Sequence, residues 1–239
     1  MIALIVLLAA FRSFGQPGVT TFGIQLKPVI PLDYFDPLTI VEQEHLTGSI
    51  ELKGGFLFGM NVRVGITPAI SFETGISQIR RAYDFSLVND TNGYSETGRV
   101  RYTGYEVPVM ALIYIRLGER TWMNTALGAS IDMYPSDAQR DIEKGRIYIF
   151  KYGWARFGIM GNLGVEYRTD KSGIFYLGGS FHRPFNDMAL AAFTYYGPNF
   201  FPYEMRTPLN GSYLTLDLRY YFHEDPERLR RRELQRQLE

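Results

Sequence analysis

The sequence predicts an all-β chain, an eight-stranded antiparallel up-and-down transmembrane barrel. Three observations predict it. Apolar residues recur at every second position over unusually long runs, charged residues occupy the alternate positions, and the connections alternate between short and long.

The elements follow in chain order. Residues 2–11, IALIVLLAAF, form an apolar run too short to span a bilayer as a helix. Small residues Ser13 and Gly15 then precede Gln16, the pattern of a secretory cleavage site after Gly15, so residues 1–15 read as a signal peptide and the chain as exported. The usual basic start of such a segment is missing, so the true start is expected slightly upstream. Segment 20–30 sets Phe22, Ile24 and Leu26 against Thr21, Gln25 and Lys27. The next, 49–66 (SIELKGGFLFGMNVRVGI), places every even position from Ile50 to Ile66 on one apolar or glycine face, with Glu51, Lys53, Asn61 and Arg63 on the other. Such a run is far longer than the five to six residues or so of an ordinary strand.

Segment 69–79 opposes Ile70, Phe72 and Ile76 to Ser71, Glu73 and Ser77, and the hairpin about Pro68 predicts that Arg63 faces Glu73. Segment 104–117 places Tyr105, Val107, Val109, Ala111, Ile113 and Ile115 against Glu106, Tyr114 and Arg116. Segment 122–134 opposes Met123, Leu127, Ile131 and Met133 to Asn124, Ser130 and Asp132. Segment 154–168 opposes Phe157, Ile159, Leu163, Val165 and Tyr167 to Arg156, Asn162, Glu166 and Arg168. The last two, 173–183 and 212–222, put Phe175, Leu177, Phe181, Leu214, Leu216 and Leu218 opposite Tyr176, Ser180, His182, Thr215, Asp217 and Arg219.

Short turns at Thr67–Pro68, 118–121 and 169–172 alternate with long polar, aromatic-rich loops at 31–48, 80–101, 135–153 and 184–211. That is the layout of an outer-membrane barrel, with short turns in the periplasm and long loops outside. The barrel is assigned to 16–223, and 224–239 form a charged periplasmic tail.

Which face meets lipid follows from volume. A small barrel encloses a lumen just wide enough for side chains, and Phe56, Phe58, Phe72, Phe157, Phe175 and Tyr220 together would overfill it. The soluble, lipocalin-like alternative is therefore disfavoured. The charged face points inward: Lys27, Lys53, Arg63, Arg116, Arg156, Arg168 and Arg219 against Glu51, Glu73, Glu106, Asp132, Glu166 and Asp217. With Tyr114, Tyr176, Tyr213 and Tyr221 this nearly neutral set is expected to plug the lumen, which disfavours a small ion channel. Trp122, Tyr167, Tyr220 and Phe222 are expected to form the periplasmic aromatic belt, and Tyr105, Trp154 and Phe181 the outer one.

Composition agrees. There are 25 basic and 25 acidic residues, so no nucleic-acid footprint follows from charge. The 17 tyrosines and 17 phenylalanines suit a membrane barrel, and the absence of cysteine excludes disulfides and thiolate chemistry. His45 and His223 lack ligand partners at short range, no cofactor or metal is expected, and KGGFLFG (53–59) lies within a strand with no following helix, so it is no phosphate loop. Ser180 and His182 share one inward face. They are the minimum for an outer-membrane lipid hydrolase, but they point away from lipid, so a hydrogen-bonded core pair and no enzyme are expected.

The run YTGYEVPVMALIYIRL (102–117), with Tyr105–Glu106–Val107–Pro108 as its most specific piece, the long hydrophobic-out strands and the aromatic final strand resemble the small PorT-like, outer membrane β-barrel domain proteins of Bacteroidota. The resemblance implies an outer-membrane location and eight strands. It implies no single activity, although some relatives serve secretion and gliding machinery. The charged tail after Phe222 departs from barrels that end on an aromatic residue. Within that tail, Asp225 and Pro226 form a helix start, and Leu229, Arg231, Leu234 and Leu238 are the candidate docking residues of a short helix. Loop 184–211, with the apolar run Met188 to Phe193, is a second candidate contact surface. These readings lead to a non-enzymatic anchor or scaffold of an envelope complex, in contact with outer-membrane lipid and with a periplasmic or outer-membrane protein partner.

Overall fold

The computed structural model describes residues 20–31, 37–197 and 201–223. The predicted signal segment and the tail residues Leu229, Arg231, Leu234 and Leu238 lie outside the described residues. Thirteen strands and no helix are described: β1 (Thr20–Ile30), β2 (Leu38–Gln43), β3 (Leu46–Gly65), β4 (Ile70–Asn89), β5 (Tyr94–Arg116), β6 (Thr121–Met133), β7 (Ala138–Ile142), β8 (Gly145–Lys151), β9 (Ala155–Arg168), β10 (Ile174–Pro184), β11 (Ala189–Tyr196), β12 (Pro202–Leu209) and β13 (Tyr213–Tyr221).

Eight of these close into an antiparallel ring in the order β1, β13, β10, β9, β6, β5, β4, β3 and back to β1. Closure leaves no bare strand edge in the ring, which a hydrocarbon environment demands. The outward residues form an apolar belt that includes Phe22, Ile24, Phe58, Met60, Phe72, Leu127, Leu163 and Leu177, all well exposed. Arg63 pairs across the β3–β4 hairpin with Glu73. Pro108, which cannot donate to the ladder, sits where the β4–β5 pairing skips from Thr74↔Val109 to Ser77↔Glu106. The Thr74 hydroxyl donates to its carbonyl at 2.7 Å.

The wall is lopsided. β3, β4 and β5 run 20, 20 and 23 residues, against 11 each for β1 and β10 and 9 for β13. Along the tall strands the faces exchange chemistry. The inner residues of β4 pass from Ser71, Glu73 and Ser77 to Tyr83, Phe85 and Leu87, all buried. Its outer residues pass from Ile70, Phe72 and Ile76 to Arg80, Asp84 and Ser86. The lower half is thus polar inside and apolar outside, as a membrane requires, and the upper half is apolar inside and polar outside, as water requires. The exchange marks the outer membrane boundary near Arg80 and Thr103.

Above it the long segments are not irregular loops. Strands β12, β11, β8 and β7 pair in that order into a second sheet. It packs over β2 and the tall ends of β3, β4 and β5, enclosing Leu46, Ile50, Phe85, Leu87, Ile147, Ile149, Met188 and Phe193 in a continuous apolar core. Segment 80–101, expected as a loop, is the continuation of β4 and β5 around a tight turn at 90–93. The run Met188 to Phe193 is therefore core of this cap and not a docking surface: Met188, Ala189, Ala191 and Phe193 are each 0% exposed.

One register event makes the cap possible. The β3–β4 ladder shifts between Leu52 and Gly54. Gly54 adopts φ +134°, a conformation open in practice to glycine alone. Below the bulge the odd residues of β3 face inward, and above it the even ones do. The single apolar face expected from Ile50 to Ile66 is thus split: Ile50 and Leu52 are buried while Phe56, Phe58 and Met60 face outward. Lys53 is correspondingly not an interior residue. Its side chain is exposed on the cap and pairs with Glu51 at 2.5 Å.

Candidate functional site: the filled lumen and the outer mouth

Inward parity brings buried ionisable side chains from β1, β3, β4, β9 and β13 to one level. Arg63 holds Glu73 through Nη2 at 3.0 Å and Glu166 through Nη1 at 2.7 Å. Arg219 holds Glu73 at 2.7 Å and Asp217 at 2.5 Å, and Lys27 reaches Asp217 at 3.3 Å. The remaining carboxylate capacity is filled by neutral donors. Asp217 accepts from Ser180 at 2.5 Å, Thr215 at 2.6 Å and Asn162 at 3.1 Å. Glu73 accepts from Tyr221 at 2.7 Å and Asn61 at 3.1 Å, and Glu166 from Asn124 at 2.7 Å. Buried charges persist only when compensated, and each charged member of this set has an opposite charge within 3.3 Å. Arg63 lies against the Tyr221 ring at 4.0 Å and Arg219 against Tyr176 at 4.7 Å, so aromatic faces fill what the ion pairs leave. The network runs from wall to wall: Arg63 on β3 bonds Glu166 on β9, strands that are not neighbours in the ring.

A second cluster lies toward the outer mouth. His182 Nε2 sits 3.0 Å from Asp132, 2.9 Å from Ser130 and 4.0 Å from Glu106. The Tyr213 ring stacks on the imidazole at 4.7 Å and its hydroxyl bonds Glu106. Glu106, Asp132 and His182 are the group among the described residues that can hold a metal, with one ligand atom from each inside a 4.8 Å span. The Nε2 contact to Asp132 is met by a hydrogen bond alone, with no ion, while Nδ1 is buried without a hydrogen-bond partner. The constellation follows from the sequence once register is known, because Glu106 and Asp132 are direct partners on β5 and β6.

Ser180 and His182 do not form the expected pair. Ser180 is committed to Asp217 and Asn162, His182 to Asp132 and Ser130. Glu51 shares the outward face of Lys53 above the bulge and so leaves the interior with it, and two further expected members leave it as well. Arg116 is exposed at the rim of the short turns, where Nε donates to the Gly118 carbonyl at 2.9 Å. Arg156 is half-buried at the outer mouth beside the Tyr152 ring and, among the described residues, pairs with no carboxylate. The belt needs one change as well. Trp122 is 4% exposed and turned inward, where Arg168 covers its ring at 4.7 Å. It has the parity of Asn124, so alternation itself places it inside.

The outer rim is uneven. Trp154 and Phe185 stand 71% and 67% exposed on the side where the wall is short. At Phe185 opens a cleft of about 520 Å³ whose lining also includes Tyr152, Arg156, Arg183 and Asp187.

Compared with known proteins, residues 22–190, more than half of the chain, match the family model of the outer membrane protein beta-barrel domain. No curated protein sequence matches. Among solved structures, the outer membrane protein OprG from Pseudomonas aeruginosa superposes with a TM-score of 0.54 at 11% identity, over 87% of this chain and 98% of that one. At that identity the likeness concerns the fold. The translocator domain of the autotransporter NalP from Neisseria meningitidis aligns over 93% of this chain and 94% of that one at 8% identity, with a TM-score of 0.22, too low to mark a shared fold.

Proposed function

Because the chain belongs to the outer membrane protein beta-barrel domain family, and so resides in the outer membrane, we propose that it is a non-enzymatic anchor or scaffold of a cell-envelope complex. It holds the two-sheet cap at the cell surface and the 224–239 tail in the periplasm. The observation that supports this reading is the filled lumen. Arg63, Glu73, Glu166, Asp217 and Arg219 are all at most 7% exposed and tie opposite walls together, with an apolar core packed overhead. A barrel so built is suited to carrying what lies above and below it. A PorT-like role linked to secretion or motility machinery is the finer form of the same proposal. It rests on the Tyr105–Pro108 run, with the charged, leucine-spaced tail as the candidate dock. We propose no catalysis at Ser180 or His182, since each is held by a separate carboxylate inside the lumen.

The test is a comparative pull-down from detergent-solubilised outer membranes, with full-length protein and a chain ending before Asp225, both tagged on the cap. A stoichiometric partner retained by the full-length chain alone supports the scaffold reading and locates the dock. If both versions come down bare, the scaffold reading fails.

A further inference from the structure

We propose that the cleft between Arg156 and Arg183 at the outer rim binds the phosphorylated headgroup of an outer-leaflet glycolipid. Position argues first. Arg183 lies on the outward face of β10, directly beyond Phe181 and across the ladder from Ile159, at the upper end of the apolar belt. Phe185 lines the cleft with it, and Trp154 stands next in sequence to the β9 start, both far more exposed than residues packed against protein. An apolar belt that ends in aromatic rings and a cation is the signature of the water–lipid interface. The cleft therefore opens at headgroup level, on the side where β10 and β13 stop short.

Chemistry argues second. Two guanidinium groups and one carboxylate, Asp187, line the cleft, leaving one positive charge in excess. Neither arginine has a carboxylate partner among the described residues. Arg156 is the more telling, because it lines the cleft and has no ion-pair or hydrogen-bond partner at its Nε. An anion in the cleft would supply the charge partner this guanidinium lacks. The Tyr152 ring, 5.5 Å from the guanidinium carbon, holds the side chain in place. The Asn186 amide, also in the lining, can serve the ligand's hydroxyls. Guanidinium pairs recognise phosphate oxygens with a geometry that ammonium groups lack.

The experiment is native mass spectrometry of the detergent-solubilised full chain. It is titrated with a phosphorylated glucosamine-disaccharide glycolipid, with the same glycolipid after enzymatic removal of its phosphates, and with glucosamine 1-phosphate. Wild type is expected to retain the phosphorylated glycolipid and to bind the other two at least about tenfold more weakly. Arg156→Gln and Arg183→Gln are each expected to weaken the phosphorylated glycolipid by about tenfold, the size of a lost charge-assisted bond, and Arg156→Lys by less. Heat-modifiable gel mobility verifies that each variant is a folded barrel. Equal retention of the dephosphorylated glycolipid, or undiminished binding by folded Arg156→Gln/Arg183→Gln, overturns the site. Glucosamine 1-phosphate binding as tightly as the glycolipid overturns the lipid as its source.

Discussion

At the residue scale, Glu73 is the side chain on which the lumen turns. It accepts from Arg63, Arg219, Asn61 and Tyr221, and each of those partners donates. Glu73→Gln therefore sets an amide NH2 against a surface of donors and leaves two arginines short of charge. Breaking a buried pair in this way costs about 3–5 kcal/mol. Urea unfolding of the barrel in lipid is expected to show that loss, and a change within about 1 kcal/mol, the range of an exposed pair, would mean that water satisfies the arginines instead. The pairing of Arg63 with Glu73 is readable from a short hairpin centred on Pro68 and a period of two. The bond from Arg63 to Glu166 is not, because it joins strands from opposite sides of the ring and depends on lumen width. Arg116 and Arg156 mislead for a related reason. Each sits at the end of a strand, where inward parity points a side chain at the rim and solvent rather than at a partner.

At the scale of the element, the decisive feature is Gly54. A side chain there would be forced into φ +134°, at a cost on the order of 1–3 kcal/mol. Gly54→Ala is expected to lower the urea midpoint accordingly, while an unchanged midpoint would show that the bulge can relocate. The cap has its own weak point in Phe193, fully buried between the two sheets. Phe193→Ala is expected to cost about 3–5 kcal/mol and to expose 138–151 and 189–209 to protease while the heat-modifiable barrel band survives. Joint loss of both would mean that cap and barrel fold as one unit. The eight ring strands were legible because each alternates cleanly between lipid and lumen. The bulge was not, since inserting one residue among glycines leaves the pattern of even positions looking unbroken. The cap strands were not legible either. Residues such as Met188, Ala189, Ala191, Ala192 and Phe193 are buried at consecutive positions, so no period of two survives.

At the scale of the molecule, wall-to-wall ion pairing predicts an electrically silent barrel. Purified protein in a planar bilayer is expected to give no conductance steps, and Arg63→Ala/Glu73→Ala/Arg219→Ala, which removes the central pairs, is expected to give small ones. Steps from the wild type would show that the network parts readily and would favour a transport role. The seam of the ring has a separate consequence, for how the protein is made. Ile24 pairs with Tyr220, so the first ring strand meets the last only after nearly all the intervening chain is in place. Contacts so distant in sequence form slowly. Until they form, β1 and β13 each present an open edge, the template on which another copy's strand can add. Refolding yield will therefore fall as protein concentration rises, and whatever shields those two edges in the cell determines how much of the chain reaches its final form.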